Sequence, residues 1–285
     1  MLIDFATILF IASMITFIIW LVDAYFWQEA RDKHNAEAIN AIGASESMGK
    51  KVSEEQRKQM LKGESLWVEL SKAFFPILVI VLLLRSIIEP FRIPWPSMVP
   101  TLLPGDFILV NKLAYGYRLP VVNHLVGKFK SPQTGDVVVF RYPMEPTTNY
   151  IKRVVGVPGD VIEYREKSLY INGKKLKYRE AGIYNDTGAG GSANNTRKRK
   201  ETLGAVEHDV LTEDRAYTYP CLVNGKFTVK KDEYFVMGDN RDNSGDSRYW
   251  CGVPKKNLVG RAYAIWMNWD PVLSVRWERL FNKIR

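Results

Sequence analysis

The chain has 285 residues, enough for one sizeable domain together with membrane segments, and its formal net charge is +9. Positive charge alone does not indicate a nucleic-acid-binding protein, because the sequence contains no recognisable nucleic-acid-binding module or clustered basic face. We attribute the charge to attraction toward anionic membrane lipids, and we expect no nucleic acid among the partners.

The first predicted element is a transmembrane helix within residues 1–22. Residues 5–22 contain no charged side chain and are long enough to span the hydrocarbon core of a bilayer. A cleaved leader is the alternative, but residues 1–4 contain no basic side chain and the apolar run exceeds the usual length of a leader's apolar core. We therefore expect a retained span.

A second span is predicted at residues 66–89, with weaker support. Only residues 73–84 are free of charge, a length that is also typical of a buried core helix. The longer span includes Glu69, Lys72 and Arg85. The two basic side chains lie near its ends, where they can reach the lipid headgroups.

Between these spans, residues 23–65 form a polar stretch whose basic residues determine the predicted topology. Most of its lysines and arginines lie within residues 50–62, close to the second span. Because Lys and Arg near helix ends are enriched on the cytoplasmic side, this stretch is predicted to be a cytoplasmic loop. Residues 90–285 then lie outside the cytoplasm.

Residues 90–285 are predicted to form a mainly β domain of coiled antiparallel sheets. Short runs rich in β-branched and aromatic residues alternate with turn signals of Gly, Pro, Asn and Asp. The Asn172-Gly173 pair predicts the tight turn of a hairpin. The predicted strands are residues 107–110, 137–140, 150–151, 161–164, 169–171 and 234–237.

A variable insertion is predicted near residues 181–230. Its first part, residues 181–200, is rich in glycine and asparagine and ends in the basic run RKRK at residues 197–200. This composition is typical of a mobile loop. The alternative is a basic patch that binds lipid or substrate.

Cys221 and Cys251 are the only cysteines of the chain. A domain outside the cytoplasm allows a disulfide, which would stabilise the fold by roughly 3–4 kcal/mol on the chain-entropy model. Sequence spacing does not fix the geometry that a disulfide needs. A bridge and two free buried thiols therefore both stay open.

Three blocks of this domain carry the most information about function. The first block, PWPSMVPTL at residues 94–102, contains Ser97. The second block, YIKRVVGVPGD at residues 150–160, contains Lys152, and the third block, GDNRDNSGDSR, spans residues 238–248. Together and in this order they resemble the bacterial type I signal peptidases, membrane-anchored serine proteases with a Ser/Lys dyad.

The resemblance implies that Ser97 is the nucleophile and that Lys152 is the general base and then the acid for the leaving amine. Within the third block, it implies that Ser244 hydrogen-bonds the lysine amine and that Asp246 and Arg248 form a supporting ion pair. An ordinary polar turn would have a similar composition. The same loop would be shaped by Asp239, Asn240 and Arg241.

Lysine can activate a serine only as a neutral amine, because serine is a poor nucleophile until a base removes its proton. The reference pKa of lysine is about 10.4, a useful base has a pKa near 7–8, and burial supplies such a shift. On a strand, Lys152 shares a face with Tyr150 and Val154, which favours an apolar pocket. Arg153 points the other way and is expected to stay solvated.

Histidine is the usual alternative base, and the chain contains three histidines. His34 is predicted to be cytoplasmic and therefore cannot reach Ser97. His124 and His208 show no local pattern of a Ser-His-Asp triad. We therefore expect the lysine to serve as the base.

Apolar residues flank the two expected catalytic residues and are candidates for the substrate pocket. Shallow apolar pockets favour small side chains, and the family cleaves secretory preproteins after Ala-X-Ala. An extended substrate would add a strand to an exposed sheet edge. The candidate pocket residues are Ile93, Pro94, Met98, Leu102 and Ile151.

The oxyanion hole is expected to use the N–H of Ser97 as its first donor. Two residues earlier, where the family commonly has Ser or Gly, this chain has Trp95. The intervening Pro96 has no N–H. Trp95 is therefore the candidate for the second donor, through its backbone or its indole N–H.

The sequence thus predicts a monomeric, multi-pass serine endopeptidase of the inner membrane, with its catalytic domain on the periplasmic side. It would remove signal peptides from exported preproteins, with those preproteins and anionic lipids as partners. No metal or cofactor is expected, since no His, Cys or carboxylate cluster has ligand spacing. The alternatives are a Ser/Lys protease of narrow range, of the pilin or conjugation-factor type, and a non-enzymatic membrane-anchored β scaffold.

Overall fold

The structure is a computed structural model that describes residues 5–49, 51–118, 125–127, 130–215, 217–270 and 274–285. These residues separate into two units, one up to Ser86 and one from Ile87 onward. The first unit is helical and the second is mainly β. The predicted fold class, two apolar N-terminal helices followed by a domain of antiparallel sheets, is confirmed.

Two helical stretches, Thr7–Ser47 and Leu66–Ile87, are long and apolar enough to cross a membrane by length and composition. The first stretch continues past residue 22 through a π-helical turn, so that part of the predicted polar loop is helical. The side of the membrane that each end of these helices faces stays a prediction. The elements are α1 (Phe5–Val22), a π turn (Asp23–Trp27), α2 (Gln28–Ser47), α3 (Glu54–Met60) and α4 (Leu66–Ile87).

Every strand predicted from the sequence lies within a strand of the second unit. β-Branched and aromatic residues concentrate there because they pack well on a pleated surface. A short helix, α5 (Ser247–Trp250), follows the third block. The strands are β1 (Ile88–Arg92), β2 (Asp106–Asn111), β3 (Tyr117–Arg118), β4 (Leu125–Val126), β5 (Val137–Arg141), β6 (Asn149–Gly156), β7 (Val161–Arg165), β8 (Ser168–Ile171), β9 (Lys174–Lys175), β10 (Lys177–Tyr184), β11 (Thr196–Leu203), β12 (Val206–Thr212), β13 (Lys226–Thr228), β14 (Glu233–Met237), β15 (Val253–Pro254), β16 (Leu258–Asp270) and β17 (Ser274–Val275).

In the part of the chain that the structure describes, eight strands form the main sheet, in the order β1-β2-β16-β5-β6-β14-β15 with β17 paired to β16. Its pairs are antiparallel, and register shifts in β16 bend that long strand. β6, which carries Lys152, lies between β5 and β14. Smaller sheets are formed by β10-β11-β12, β13-β7-β8-β9 and β3-β4.

The predicted hairpin is formed by β8 and β9. Asn172 and Gly173 have φ values of 52° and 76°, the left-handed backbone that a two-residue hairpin turn requires. Glycine and asparagine are the residues that adopt this conformation most readily. The turn could therefore be read from two adjacent residues.

The prediction of a mobile loop at residues 181–200 is wrong for its basic end, which belongs to the strand β11. Carboxylates on the neighbouring strands pair with the basic run. Arg197 bonds Glu180 at 2.9 Å, and Lys200 lies 3.0 Å from Asp209. Opposite charges across strands stabilise such a sheet, which composition alone does not reveal. This pairing also disfavours a basic patch that binds lipid or substrate.

Cys221 and Cys251 are joined by a disulfide, with their Cα atoms 5.2 Å apart. Of the two states that the sequence left open, the structure contains the bridge. The bond links the connection between β12 and β13 to the residue that follows α5.

Candidate active site

The third block holds the backbone of the first block around Ser97. Pro96–Met98 form a single 3₁₀ turn after β1. Asn240 donates its backbone N–H to the carbonyl of Ser97 at 3.1 Å and its side-chain amide to the carbonyl of Pro96 at 3.1 Å. One asparagine thus fixes two successive carbonyls of this turn, so that Ser97 is presented on a constrained backbone.

The side chains of Ser97 and Lys152 meet. Lys152 Nζ lies 2.7 Å from Ser97 Oγ and donates to the carbonyl of Ile151 at 3.0 Å. Lys152 is only 4% exposed, and its amine lies 5.5 Å from the centre of the Tyr150 ring. A neutral amine has two N–H donors and one lone pair, so it can donate to Ile151 while accepting from the serine hydroxyl.

Burial lowers the pKa of Lys152 to about 8. The charges of Asp246 and Asp239 act in the opposite direction and raise this pKa, whereas Arg248 lowers it. Desolvation disfavours the ammonium ion, and it outweighs the two carboxylates, which are themselves paired with arginines. The amine can therefore lose its proton near pH 8.

Gly238 allows a close approach between the third block and Ser97. A β-carbon at this position would lie 2.4 Å from the carbonyl oxygen of Ser97 and 2.3 Å from the hydroxyl of Ser244. The N–H of Gly238 donates to Asp246 at 3.1 Å. Glycine is needed here because only hydrogen fits between the two chain segments.

Asp246 and Arg248 form a buried bidentate ion pair. Arg248 Nε and Nη2 donate to the two carboxylate oxygens at 2.8 and 2.7 Å, and neither residue has exposed surface. Burial alone would raise the pKa of Asp246, but Arg248 outweighs it, and the pKa is lowered. The carboxylate therefore stays charged at the pH at which Lys152 titrates.

Ser244 is buried against Gly238, and its hydroxyl lies on the side of Asp246, where it helps to lower the pKa of that carboxyl. The bond expected between Ser244 and the amine of Lys152 is not formed in this arrangement. After its contacts with Ser97 and Ile151, a neutral amine keeps one further N–H that a serine oxygen could accept. The orienting role of Ser244 stays a prediction.

Arg153 is buried, and the expectation that it stays solvated is wrong. It lies on the opposite face of β6 from Lys152, but that face is also covered. Arg153 Nε and Nη2 donate to Asp239 at 2.8 and 2.7 Å, and Thr101 Oγ1 donates to the same carboxylate at 2.5 Å. Strand alternation shows which face a residue occupies, but not what packs on that face. The ion pair between Arg153 and Asp239 joins the second block to the third.

A further arginine of the third block pairs with the small sheet β10-β11-β12. Arg241 donates to Glu201 of β11 at 2.8 and 2.5 Å. Burial alone would raise the pKa of Glu201, but Arg241 and His208 outweigh it and hold that pKa well below its usual range. Sequence reasoning missed Glu201, because it lies 40 residues from Arg241 and follows a segment expected to be a loop.

Both ring nitrogens of His208 are directed at carboxylates. Its Nε2 lies 3.2 Å from Glu201, and its Nδ1 lies 3.4 Å from Asp239. His34 belongs to α2 of the helical unit, and His124 lies outside the described residues. Among the described histidines, none is hydrogen-bonded to Ser97, whereas Lys152 is.

Most of the predicted pocket residues belong to the core. Met98 and Leu102 are fully buried and Ile93 is 3% exposed, in one cluster against which Ile151 packs. Pro94 is the exposed member of the set. These side chains support the Ser97 turn from the core, and their contact with a substrate stays a prediction.

Trp95 is 73% exposed, and its backbone is extended. Its N–H donates no hydrogen bond to any residue in the described parts of the chain. A main-chain donor without a partner among the described residues therefore lies two residues before Ser97. The large indole occupies the surface beside it.

The sequence matches the profile of the family described as signal peptidase, peptidase S26, over residues 67–269. It is 44% identical over 284 residues to a signal peptidase I of Pseudomonas fluorescens, with 95% of each chain covered. It is 49% identical over 229 residues to a signal peptidase I of Pseudomonas aeruginosa, with 76% of this chain and 78% of the relative covered. A crystal structure of a signal peptidase I from Enterococcus faecalis is 29% identical in sequence and covers 47% of this chain and 98% of its own, with a TM-score of 0.30.

Proposed function

The chain belongs to the signal peptidase family, peptidase S26, and from this premise we propose that it is a membrane-bound serine endopeptidase that removes signal peptides from exported preproteins. The observation that carries the assignment of the dyad is the contact of 2.7 Å between Ser97 Oγ and the buried amine of Lys152. A serine needs such a base to become a nucleophile.

In the proposed reaction, the neutral amine of Lys152 takes the hydroxyl proton while Ser97 Oγ attacks the scissile carbonyl. The ammonium ion that results gives its proton to the leaving amine, which becomes the N-terminus of the mature protein. The signal peptide stays on Ser97 as an ester. A water molecule then attacks this ester while Lys152 takes one of its protons. The bond between the acyl carbon and Ser97 Oγ breaks, Lys152 returns the proton to Ser97 Oγ, and the signal peptide is released with a free carboxyl group.

The developing oxyanion needs donors beside Ser97. We propose the N–H of Ser97 and the backbone N–H of Trp95, which has no partner among the described residues. The indole of Trp95 is exposed, and we propose that it projects over the pocket or toward lipid, where tryptophan is favoured at the interface. The oxyanion would therefore have two backbone donors although residue 95 has no side-chain hydroxyl.

The two apolar helices are proposed to anchor the enzyme in the inner membrane, with its catalytic domain on the periplasmic side. The length and composition of the two helical stretches support the anchor, and the basic residues at 50–62 support this orientation. The disulfide supports it as well, because disulfides persist in oxidising compartments such as the periplasm.

Purified enzyme in detergent is expected to cleave a panel of preproteins after a small residue, and Ser97→Ala is expected to abolish this while the near-UV circular dichroism stays unchanged. Mass spectrometry of the products maps the bond that is cut. Cleavage of a single member of the panel would favour a protease of narrow range. Absence of Ser97-dependent cleavage from the whole panel would contradict the proposed function.

The rate is expected to rise with pH through about 8, because only the neutral form of Lys152 accepts the serine proton. Since this pKa is lowered, the inactive ammonium form dominates below it and the active amine above it. We expect kcat/KM to fall about tenfold per pH unit below about pH 7 and to level off above about pH 9. Asp239 and Asp246 have lowered pKa values and stay charged throughout. An acid limb with an apparent pKa of about 10.4, which is the pKa of a solvated lysine, would argue against burial of the amine.

A further inference from the structure

The connection between β12 and β13, described at residues 213–215 and 217–225, is attached to the end of the third block. Cys221 donates its backbone N–H to the carbonyl of Arg248 at 3.0 Å, and its sulfur is bonded to Cys251, three residues beyond Arg248. Leu222 is buried in the core beside these contacts. The connection is therefore held both covalently and by its backbone at the point where the third block ends.

Tyr219 of this connection and Tyr164 of β7 together enclose the side chain of Arg248. Arg248 Nη1 donates to the hydroxyl of Tyr219 at 3.1 Å, and the guanidinium lies 4.7 Å from the centre of the Tyr219 ring and 5.0 Å from that of Tyr164. Arg248 has no exposed surface. Cation–π contacts are strongest where water is excluded, so these rings limit where the guanidinium can lie.

The position of Arg248 is transmitted to the dyad through Asp246. Arg248 binds both oxygens of Asp246, and Asp246 accepts the N–H of Gly238, which lies directly against the carbonyl of Ser97. The charges that act on the amine of Lys152 are those of Asp239, Asp246 and Arg248. A shift of Arg248 would therefore change both the packing on Ser97 and the charge around the base.

We propose that Tyr219 and the Cys221–Cys251 disulfide are positioning residues for catalysis, holding Arg248 against Asp246 so that the Ser97–Lys152 pair keeps its geometry. This inference rests on the proposed function. None of the three residues lies in the blocks that carry the resemblance to signal peptidases. Their role depends on the connection between β12 and β13, which the sequence places inside the variable insertion.

Replacement of the ring tests the first half of the proposal. Tyr219→Leu is expected to lower kcat about 5- to 30-fold with little change in KM, because one hydrogen bond and one cation–π contact are lost. The acid limb of the pH profile is expected to move to higher pH, because Arg248 no longer lowers the pKa of Lys152 as strongly. Tyr219→Phe keeps the ring and is expected to restore most of kcat.

Tyr217→Leu is the matched control. The ring of Tyr217 lies 6.4 Å from that of Tyr219 and contacts Lys167 and Arg215 instead of Arg248. It is expected to keep the wild-type kcat and the wild-type acid limb. A folded Tyr219→Leu protein that matches this control in both readouts would overturn the role of Tyr219.

Reduction of the disulfide tests the second half on the folded wild-type enzyme. Dithiothreitol converts the bridge into two thiols and becomes a cyclic disulfide itself, and titration of free thiols measures the extent. We expect kcat to fall by about threefold to tenfold, the acid limb to move to higher pH, and both to recover on reoxidation. If the bridge resists reduction, the paired Cys221→Ser and Cys251→Ser variant provides the same readouts.

A bridge with a purely structural role would lower the melting temperature and leave kcat and the acid limb unchanged at a temperature where the protein is folded. That result would overturn the proposal for the disulfide. Wild-type enzyme without Ser97-dependent cleavage would instead contradict the proposed function itself. The two failures are therefore distinguished by the wild-type measurement alone.

Discussion

Lys152→Arg is expected to lower kcat by about 10²- to 10⁴-fold while the domain stays folded. The reason is the charge of the base, because arginine stays protonated at every pH at which the enzyme is stable and cannot accept the proton of Ser97. Alkaline pH, which activates the wild-type enzyme, should not restore the variant. Steady-state cleavage of a preprotein peptide between about pH 7 and 10 measures this.

Two further variants make this experiment decisive. Lys152→Met fills the same buried slot without a charge, so it is expected to fold and to be equally inactive. Lys174→Arg changes an exposed lysine of β9 and is expected to keep wild-type activity. If folded Lys152→Arg retained activity within about tenfold of the wild-type enzyme, another group would have to be the base.

Gly238→Ala is expected to lower kcat by about 10²-fold, the size of effect that a misplacement of about 1 Å produces. The added methyl group would lie 2.4 Å from the carbonyl oxygen of Ser97, so that the nucleophile's turn or the third block must move. A clash with backbone cannot be relieved by a change of rotamer. Kinetics at saturating peptide, together with a thermal melt, separate loss of geometry from loss of fold.

Gly245→Ala is the matched control within the same block. The nearest atom to its added carbon is a ring atom of Trp250 at 3.5 Å, an ordinary contact. Both substitutions add the same methyl group to the same loop, but only Gly238→Ala adds it against Ser97. Equal, near wild-type activity of the two variants would show that the close approach at Gly238 has no catalytic importance.

The parts of the fold that could be predicted are those determined by neighbours in sequence. The hairpin turn follows from Asn172 and Gly173, and the face of Lys152 follows from alternation along β6. The burial of Arg153 could not be predicted, because its partner Asp239 lies 86 residues away and covers a face that alternation alone would leave open.

The candidate dyad and the Asp246–Arg248 ion pair were predicted from the resemblance, but the carboxylate partners of Arg153 and Arg241 were not. Glu201 is buried beside Arg241 although it directly follows the basic run of β11, since a paired carboxylate can be buried where a lone one cannot. The disulfide likewise depended on the Cα distance, which spacing does not contain. In each case the sequence does not show which residue, distant along the chain, lies beside the group in the folded protein.

Ser97 and Lys152 leave the ribosome well before Gly238, Asp239 and Asn240, because synthesis runs from the N-terminus at about 5–20 residues per second. Until the third block emerges, the hydrogen bonds from Asn240 to the Ser97 turn do not exist, and Arg153 has no carboxylate to receive it. The growing chain therefore carries Ser97 and Lys152 before the contacts that hold them in place can form.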